Sequence, residues 1–363
     1  MGFLGLSKFS CAPIKSIGQP GLRAHGYGPL RPDPDGILDL PNGFTYKTIS
    51  QPGDMMDDGY FVPPIPDGMA TFAGPNEFTI VVRNHEINPG RKGTYGKKHE
   101  LFNKIDPNKV YDDGKGKTPA CGGTSTFVYD THNQAIVTQY LSLAGSVRNC
   151  AGEPTPWKSW ITCEETNDVP ENRNGILIEK YHGFNFEVPA SAKIQLADPI
   201  PLKAMGRFRH EAIAVDPATG IVYQTEDRGN GLIYRFIPNE PRKFVKGGKL
   251  QALRIVDGRK DTRNWGDEQI KVRERLKVAW IDMEDVEAPE DDLRKRGHDK
   301  GAALFARGEG MWRGEDGVYF ACTSGGKKKW AKYGATFPVL LKAGKKVMNP
   351  VFSNYLLSRM IPS

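Results

Sequence analysis

No part of this 363-residue chain sustains an apolar repeat at the 3.6-residue period of a helix; short strands closed by tight turns recur instead. With 41 Gly and 27 Pro as punctuation, the pattern favours an all-β assembly, a sandwich or a propeller, over an α/β fold. A chain of this length buries a large core as one big domain or two. The best helix candidate is residues 286–296 (VEAPEDDLRKR), whose charges read as solvated.

The strands end in acid. In residues 206–236 (GRFRHEAIAVDPATGIVYQTEDRGNGLIYRF) an apolar run at 212–215, a turn at 216–220 and a second strand at 221–225 make a hairpin. Antiparallel pairing brings His210-Glu211 and Glu226-Asp227 to the same end. Carboxylates gathered there repel one another unless cations or protons neutralise them, which points to a hard-metal site. The plainer reading is surface turn charge. The same ending recurs where 78–82 runs into Arg83-Asn84-His85-Glu86 and where 159–162 runs into Cys163-Glu164-Glu165. Another hairpin spans 122–142, and Arg307-Gly308-Glu309 precedes a strand at 318–323. Acidic strand ends at Glu86, Glu164, Glu211, Glu226 and Glu309, without a strict period, are how propeller blades of roughly 40 to 60 residues read. Propellers hold ligands around a central channel, so these acids would converge as a multi-cation cluster.

The net charge is +7, with lysine in scattered tracts (97–98, 327–329, 345–346) and no nucleic-acid motif, so no nucleic-acid partner is expected. A basic surface still attracts anionic substrates. The five cysteines, Cys11, Cys121, Cys150, Cys163 and Cys322, form no CxxC pair, which excludes a zinc ribbon and makes no disulfide framework. No apolar run reaches the length of a membrane span. The opening MGFLGLSKFS shows no export signal, so the protein stays inside or the chain begins after a removed leader.

Five segments then carry a resemblance: RNHE (83–86), GGTSTF (122–127), NCAG…TPW…WITCEE (149–165), GRFRHEAIAVDPATGIVYQTEDRG (206–229) and ARGEG…VYFACTSGG (306–326). In order and over roughly residues 26–326, they resemble the PhoX family of alkaline phosphatases. The resemblance implies a six-bladed β-propeller, an axial cluster of calcium and ferric ions with a bridging oxo group and a cysteine ligand, and hydrolysis of small-molecule phosphate monoesters by a metal-bound oxo or hydroxo nucleophile. It also implies export by the twin-arginine route to the periplasm or beyond, and a monomer is expected. Carried over by motif, Glu211, Glu226 or Asp227, Glu164 or Glu165, and Glu309 would bind metal. Arg307 would clamp the phosphate, and Asn84 and Glu86 would lie near the substrate. The thiolate ligand is Cys150 or Cys163. The Gly-containing loop favours Cys150, whereas Cys163 in an alternating strand can face the core. Hard oxygen donors suit calcium, and a thiolate points to a second, transition-type metal. Cations with an Arg fork suit a phosphate dianion, and no GxSxG nucleophile is present.

The chain departs from the family at Gly152-Glu153, where two glycines are usual, and at Asn230, where an aspartate often stands. Beyond Gly326 the resemblance stops: residues 327–363 carry Lys and Arg but no Asp or Glu. This reads as truncation or a shifted reading frame, with an incomplete last blade and a lost metal ligand. The expected divisions are thus an N-terminal arm (1–36), a propeller domain (37–326) and a divergent basic tail (327–363). Alternatives are a calcium-dependent lactonase-type propeller or other esterase, an inactive truncated relative, and a propeller that only binds partners.

Overall fold

The computed structural model describes residues 26–327 except 268, 272, 273 and 316, together with the backbone of 339–341 and 355–358. Residues 1–25 of the arm and most of the basic tail lie outside the described residues. The chain divides after Gln51. In the first unit β1 (Leu30–Arg31) pairs antiparallel with β2 (Leu40–Pro41). The Asp33 carboxylate secures their turn by accepting from the Ile37 and Leu38 amides and the Tyr46 hydroxyl.

The second unit is built from antiparallel meanders. β3 (Pro66–Ala73), β4 (Thr79–His85), β5 (Gly122–Asp130) and β6 (Ala135–Ser146) form the first sheet in chain order. In the next, β7 (Asn149–Pro154) and β8 (Ser159–Glu164) pair, the ribbon β9 (Glu171–Arg173) and β10 (Ile176–Ile178) stands apart, and β11 (Asn185–Pro189) returns to β8. Then β12 (His210–Val215), β13 (Val222–Glu226), β14 (Ile233–Pro238), β15 (Gly248–Ile255) and β16 (Arg275–Asp282) run up and down. The last hairpin is β17 (Gly308–Arg313) with β18 (Val318–Cys322). Two short tail strands, β19 (Val339–Leu341) and β20 (Tyr355–Ser358), link β18 to β16 into one sheet.

The apolar run 212–215 shows why the strands read as they do. Ala212 and Ala214 point into one core cluster, with Phe305 and Phe320. Ile213 and Val215 point into another, with Phe208 and Phe236. A strand buried on both faces shows continuous rather than alternating hydrophobicity. The expected helix begins later than the charge pattern indicated, at α1 (Leu293–Asp299). Pro289 disfavours helical backbone at Ala288, and both Ala288 and Asp291 adopt positive φ.

The opening strands of successive hairpins pack side by side, β3 on β7, β7 on β12 and β12 on β17. Each opens its hairpin in the same way. Pro66 pairs with His85, Asn149 with Glu164, His210 with Glu226 and Gly308 with Cys322, and each register then slips by a bulge. After each second strand the next amide reaches back across the opening. Glu86 donates to Ile65, Glu165 to Arg148, Asp227 to Arg209 and Thr323 to Arg307. A bulge re-aims the side chain within it. The bulged residues are therefore equivalent: Asp67, Cys150, Glu211 and Glu309.

Candidate functional site

Asp67, Cys150, Glu211 and Glu309 from the inner strands, with Glu86, Glu165 and Asp227 from the residues that follow the second strands, form one acidic centre. Ligand atoms of Asp67, Glu86 and Cys150 lie within 4.8 Å of one another, as do those of Cys150, Glu165 and Glu211. The Cys150 thiol is the shared vertex, 3.5 Å from Asp67 Oδ2. Burial and then neighbouring carboxylates, Glu211 first, push that thiol far above its usual range.

Two arginines frame the centre. Arg148 Nη2 bonds Glu86 at 2.7 Å and also Glu165. Arg307 bonds Asp227 through Nε and Nη2, both at 2.7 Å, and Nη2 also reaches Glu309 at 2.7 Å. Both hold positive φ, 48° and 54°, a conformation that non-glycine residues keep only where the surroundings enforce it. The two guanidiniums do not balance six carboxylates. Burial, then a hydrogen bond with Asp227, raises Glu165 to about 7. Burial, with Glu309 and Glu165 nearby, drives Glu211 well up, and burial with Asp227 raises Glu309. The centre lacks positive charge, which is the condition of a cation site. Its oxygen donors suit calcium, and its single thiol suits a softer transition metal.

Other residues singled out in the sequence sit elsewhere. Glu164 is fully buried: its oxygens accept from the Val147, Gly183 and Phe184 amides and from His182 Nδ1. Glu226 is buried too, accepting from the Leu232 amide and Tyr234 hydroxyl, with Arg294 3.7 Å away. Cys163 lies in the apolar cluster with Ile161 and Phe208. Asn84 spends its whole amide on structure: it donates to the Cys150 and Ala151 carbonyls, both at 2.9 Å, and accepts from Trp160 and Thr162. It holds the Cys150 bulge in place. Conversely, Asp67 and Arg148 join the centre although their sequence context gave them no role. Asp67 lies in a Pro-rich stretch without strand alternation; its signal is its place as second residue of an inner strand.

Gly68 explains how Asp67 comes so close. A β-carbon there would meet Ala151 Cα and the Cys150 carbonyl oxygen, each at 2.8 Å. Gly68→Ala is expected to push Asp67 off Cys150 and to weaken calcium binding about tenfold, as supporting changes around metal ligands do. A calcium titration of the variant checks this.

His182 lies between Glu164 (2.7 Å) and Asp112 (3.2 Å). Burial alone would lower its pKa, but Glu164 and Asp112 outweigh burial and raise it to about 9. The raised folded pKa stabilises the protein fully below the unfolded value of ~6.5, and that contribution is lost as pH rises through about 9. Urea unfolding is expected to show a loss on the order of 2 kcal/mol between these limits, which His182→Asn removes.

Comparison with known proteins gives the arrangement its context. The model of the family described as Alkaline phosphatase PhoX matches residues 25–137 and 129–346. The chain belongs to the PhoX alkaline phosphatase family. The match extends past Gly326 into the basic tail. Among solved structures, the chain is similar to Pseudomonas fluorescens PhoX in complex with vanadate, a transition state analogue. That likeness has a TM-score of 0.54 and 17% identity, and covers 85% of this chain and 71% of the other. No curated protein matches the chain. The antiparallel all-β fold is thus the β-propeller type of PhoX, and membership of this family makes the protein a phosphoric monoester hydrolase. No helix among the described residues is long and apolar enough to cross a membrane.

Proposed function

We propose that this PhoX-family chain hydrolyses small phosphate monoesters at the acidic centre, with calcium and ferric iron held by Asp67, Glu86, Cys150, Glu165, Glu211, Asp227 and Glu309. The observation that carries this reading is the convergence of equivalent bulged residues from four hairpins on one thiol-centred cluster. When bound, these metals supply positive charge against the phosphate oxygens and Lewis acidity that activates water.

The chain's own residues do the positioning. Asp227 and Glu309 fix Arg307 by Nε and Nη2, which leaves Nη1 for a phosphate oxygen, and the side chain is 46% exposed. A guanidinium held in advance loses little freedom on binding and neutralises charge where it develops. Arg148 is tied to Glu86 and Glu165 through Nε and Nη2 and to Asn88 through Nη1, so it secures the carboxylate cage. Asn84 keeps Cys150 in its bulge from behind.

A periplasmic or secreted location and a monomeric state, as in the expectation from the resemblance, complete the proposal. A panel of p-nitrophenyl phosphate, bis-p-nitrophenyl phosphate and a simple lactone tests the reaction class. Turnover of the monoester far above the other two is expected; preferential lactone hydrolysis would replace the phosphatase reading by the lactonase one.

A further inference from the structure

The hairpin repeat also sets one residue just before each inner strand: Ile65, Arg148, Arg209 and Arg307. Three are arginines. Arg148 and Arg307 are each locked onto two carboxylates of the centre. Arg209 has no ion pair among the described residues, and its Nε is buried without a hydrogen-bond partner.

Arg209 belongs instead to a second, basic cluster. Arg228 and Arg294 bind opposite oxygens of Asp291, at 3.1 and 2.6 Å, and Arg294 stands 3.7 Å from Glu226. The Nε atoms of both are also buried and unpartnered. Arg207 lies alongside, sharing Asn167 with Arg228, and donates only to carbonyl oxygens of His182, Asn167, Asp168, Ala288 and Pro289. Around Asp291 and Glu226 the cluster thus gathers three guanidiniums, those of Arg209, Arg228 and Arg294. Arg228 feels the charges of both Arg209 and Arg294, beside those of Asp291 and Glu226. The side chains of Arg228 and Asp291 are each 26% exposed, so the cluster opens to solvent. It adjoins the metal centre through the chain itself. Arg228 follows Asp227, their Cα atoms ~3.8 Å apart, and Arg209 is two residues from Glu211.

We propose that Arg209, Arg228 and Arg294 form an anion subsite that takes a second anionic group, phosphate or carboxylate, carried by the ester substrate. An acidic centre loaded with cations and a basic cluster beside it match a substrate with two anionic groups a few bonds apart. Charge-assisted bonds from guanidiniums with unused donors favour such a substrate over one with a single phosphate. The inference rests on the phosphomonoesterase reading.

Two esters that differ by a carboxylate, 3-phosphoglycerate and glycerol 3-phosphate, test it on the metal-loaded full chain. Arg209→Gln is expected to lower the ratio of their kcat/KM values about tenfold, mainly through KM for 3-phosphoglycerate, and Arg209→Lys to restore part of it. An unchanged ratio, or equal loss on both esters, overturns the subsite. If neither ester is hydrolysed, the phosphatase reading fails, and calorimetric titration judges the subsite separately. The unmodified chain is then to bind 3-phosphoglycerate about tenfold more tightly than glycerol 3-phosphate, and Arg209→Gln is to bind them alike. Equal binding by the unmodified chain contradicts the subsite.

Discussion

Replacing Cys150 by serine is expected to remove iron from the purified protein while calcium stays, and to lower kcat/KM on p-nitrophenyl phosphate more than about a hundredfold. That exceeds the 10–100-fold that changes around metal ligands usually cause, because the thiol stands at the vertex of both ligand groups. The softer metal depends on it, since the remaining donors of the centre are oxygens. Cys163→Ser separates the two cysteines that the sequence left open. Cys163 is fully buried among Ile161, Leu202 and Phe208, so a hydroxyl there costs about 1–3 kcal/mol of stability and leaves metal content intact. Metal analysis of both variants, with thermal unfolding, reads the contrast directly.

Arg307→Gln is the second large effect. The expected loss in kcat/KM is about 10²–10³-fold, the size seen when one preorganised donor to a developing charge is removed. Metal content is expected to hold, because Arg307 binds Asp227 and Glu309 and is not itself a ligand. Arg307→Lys should restore little: an ammonium cannot span both Asp227 oxygens and still offer a free N–H in the same plane. Inhibition by inorganic phosphate should weaken in parallel with turnover. Unchanged phosphate inhibition in the glutamine variant would place the phosphate elsewhere.

The hairpin grammar was legible in the sequence, and so was its meaning as a set of strand ends turned toward one centre. The choice between adjacent residues was not. Glu164-Glu165 and Glu226-Asp227 each offer two acids in succession, and neighbouring side chains on a strand face opposite ways. In both pairs the residue after the strand joins the centre and the one before it is buried in structure. Register and bulge decide that, and composition does not encode them. Asp67 was hidden for a different reason: its flanks, Pro64, Pro66 and Gly68, break the alternation that marks a strand, although Gly68 is what lets Asp67 approach Cys150. Arg148 and Arg307 carry positive φ that no local sequence preference announces, because the hairpin openings impose it.

The central claim is that phosphate ester hydrolysis takes place at the cation-deficient centre around Cys150. Turnover of p-nitrophenyl phosphate before and after excess EGTA, followed by added calcium, tests it most directly. Loss of activity on chelation and its return with calcium are expected. Undiminished hydrolysis in excess EGTA would contradict the claim.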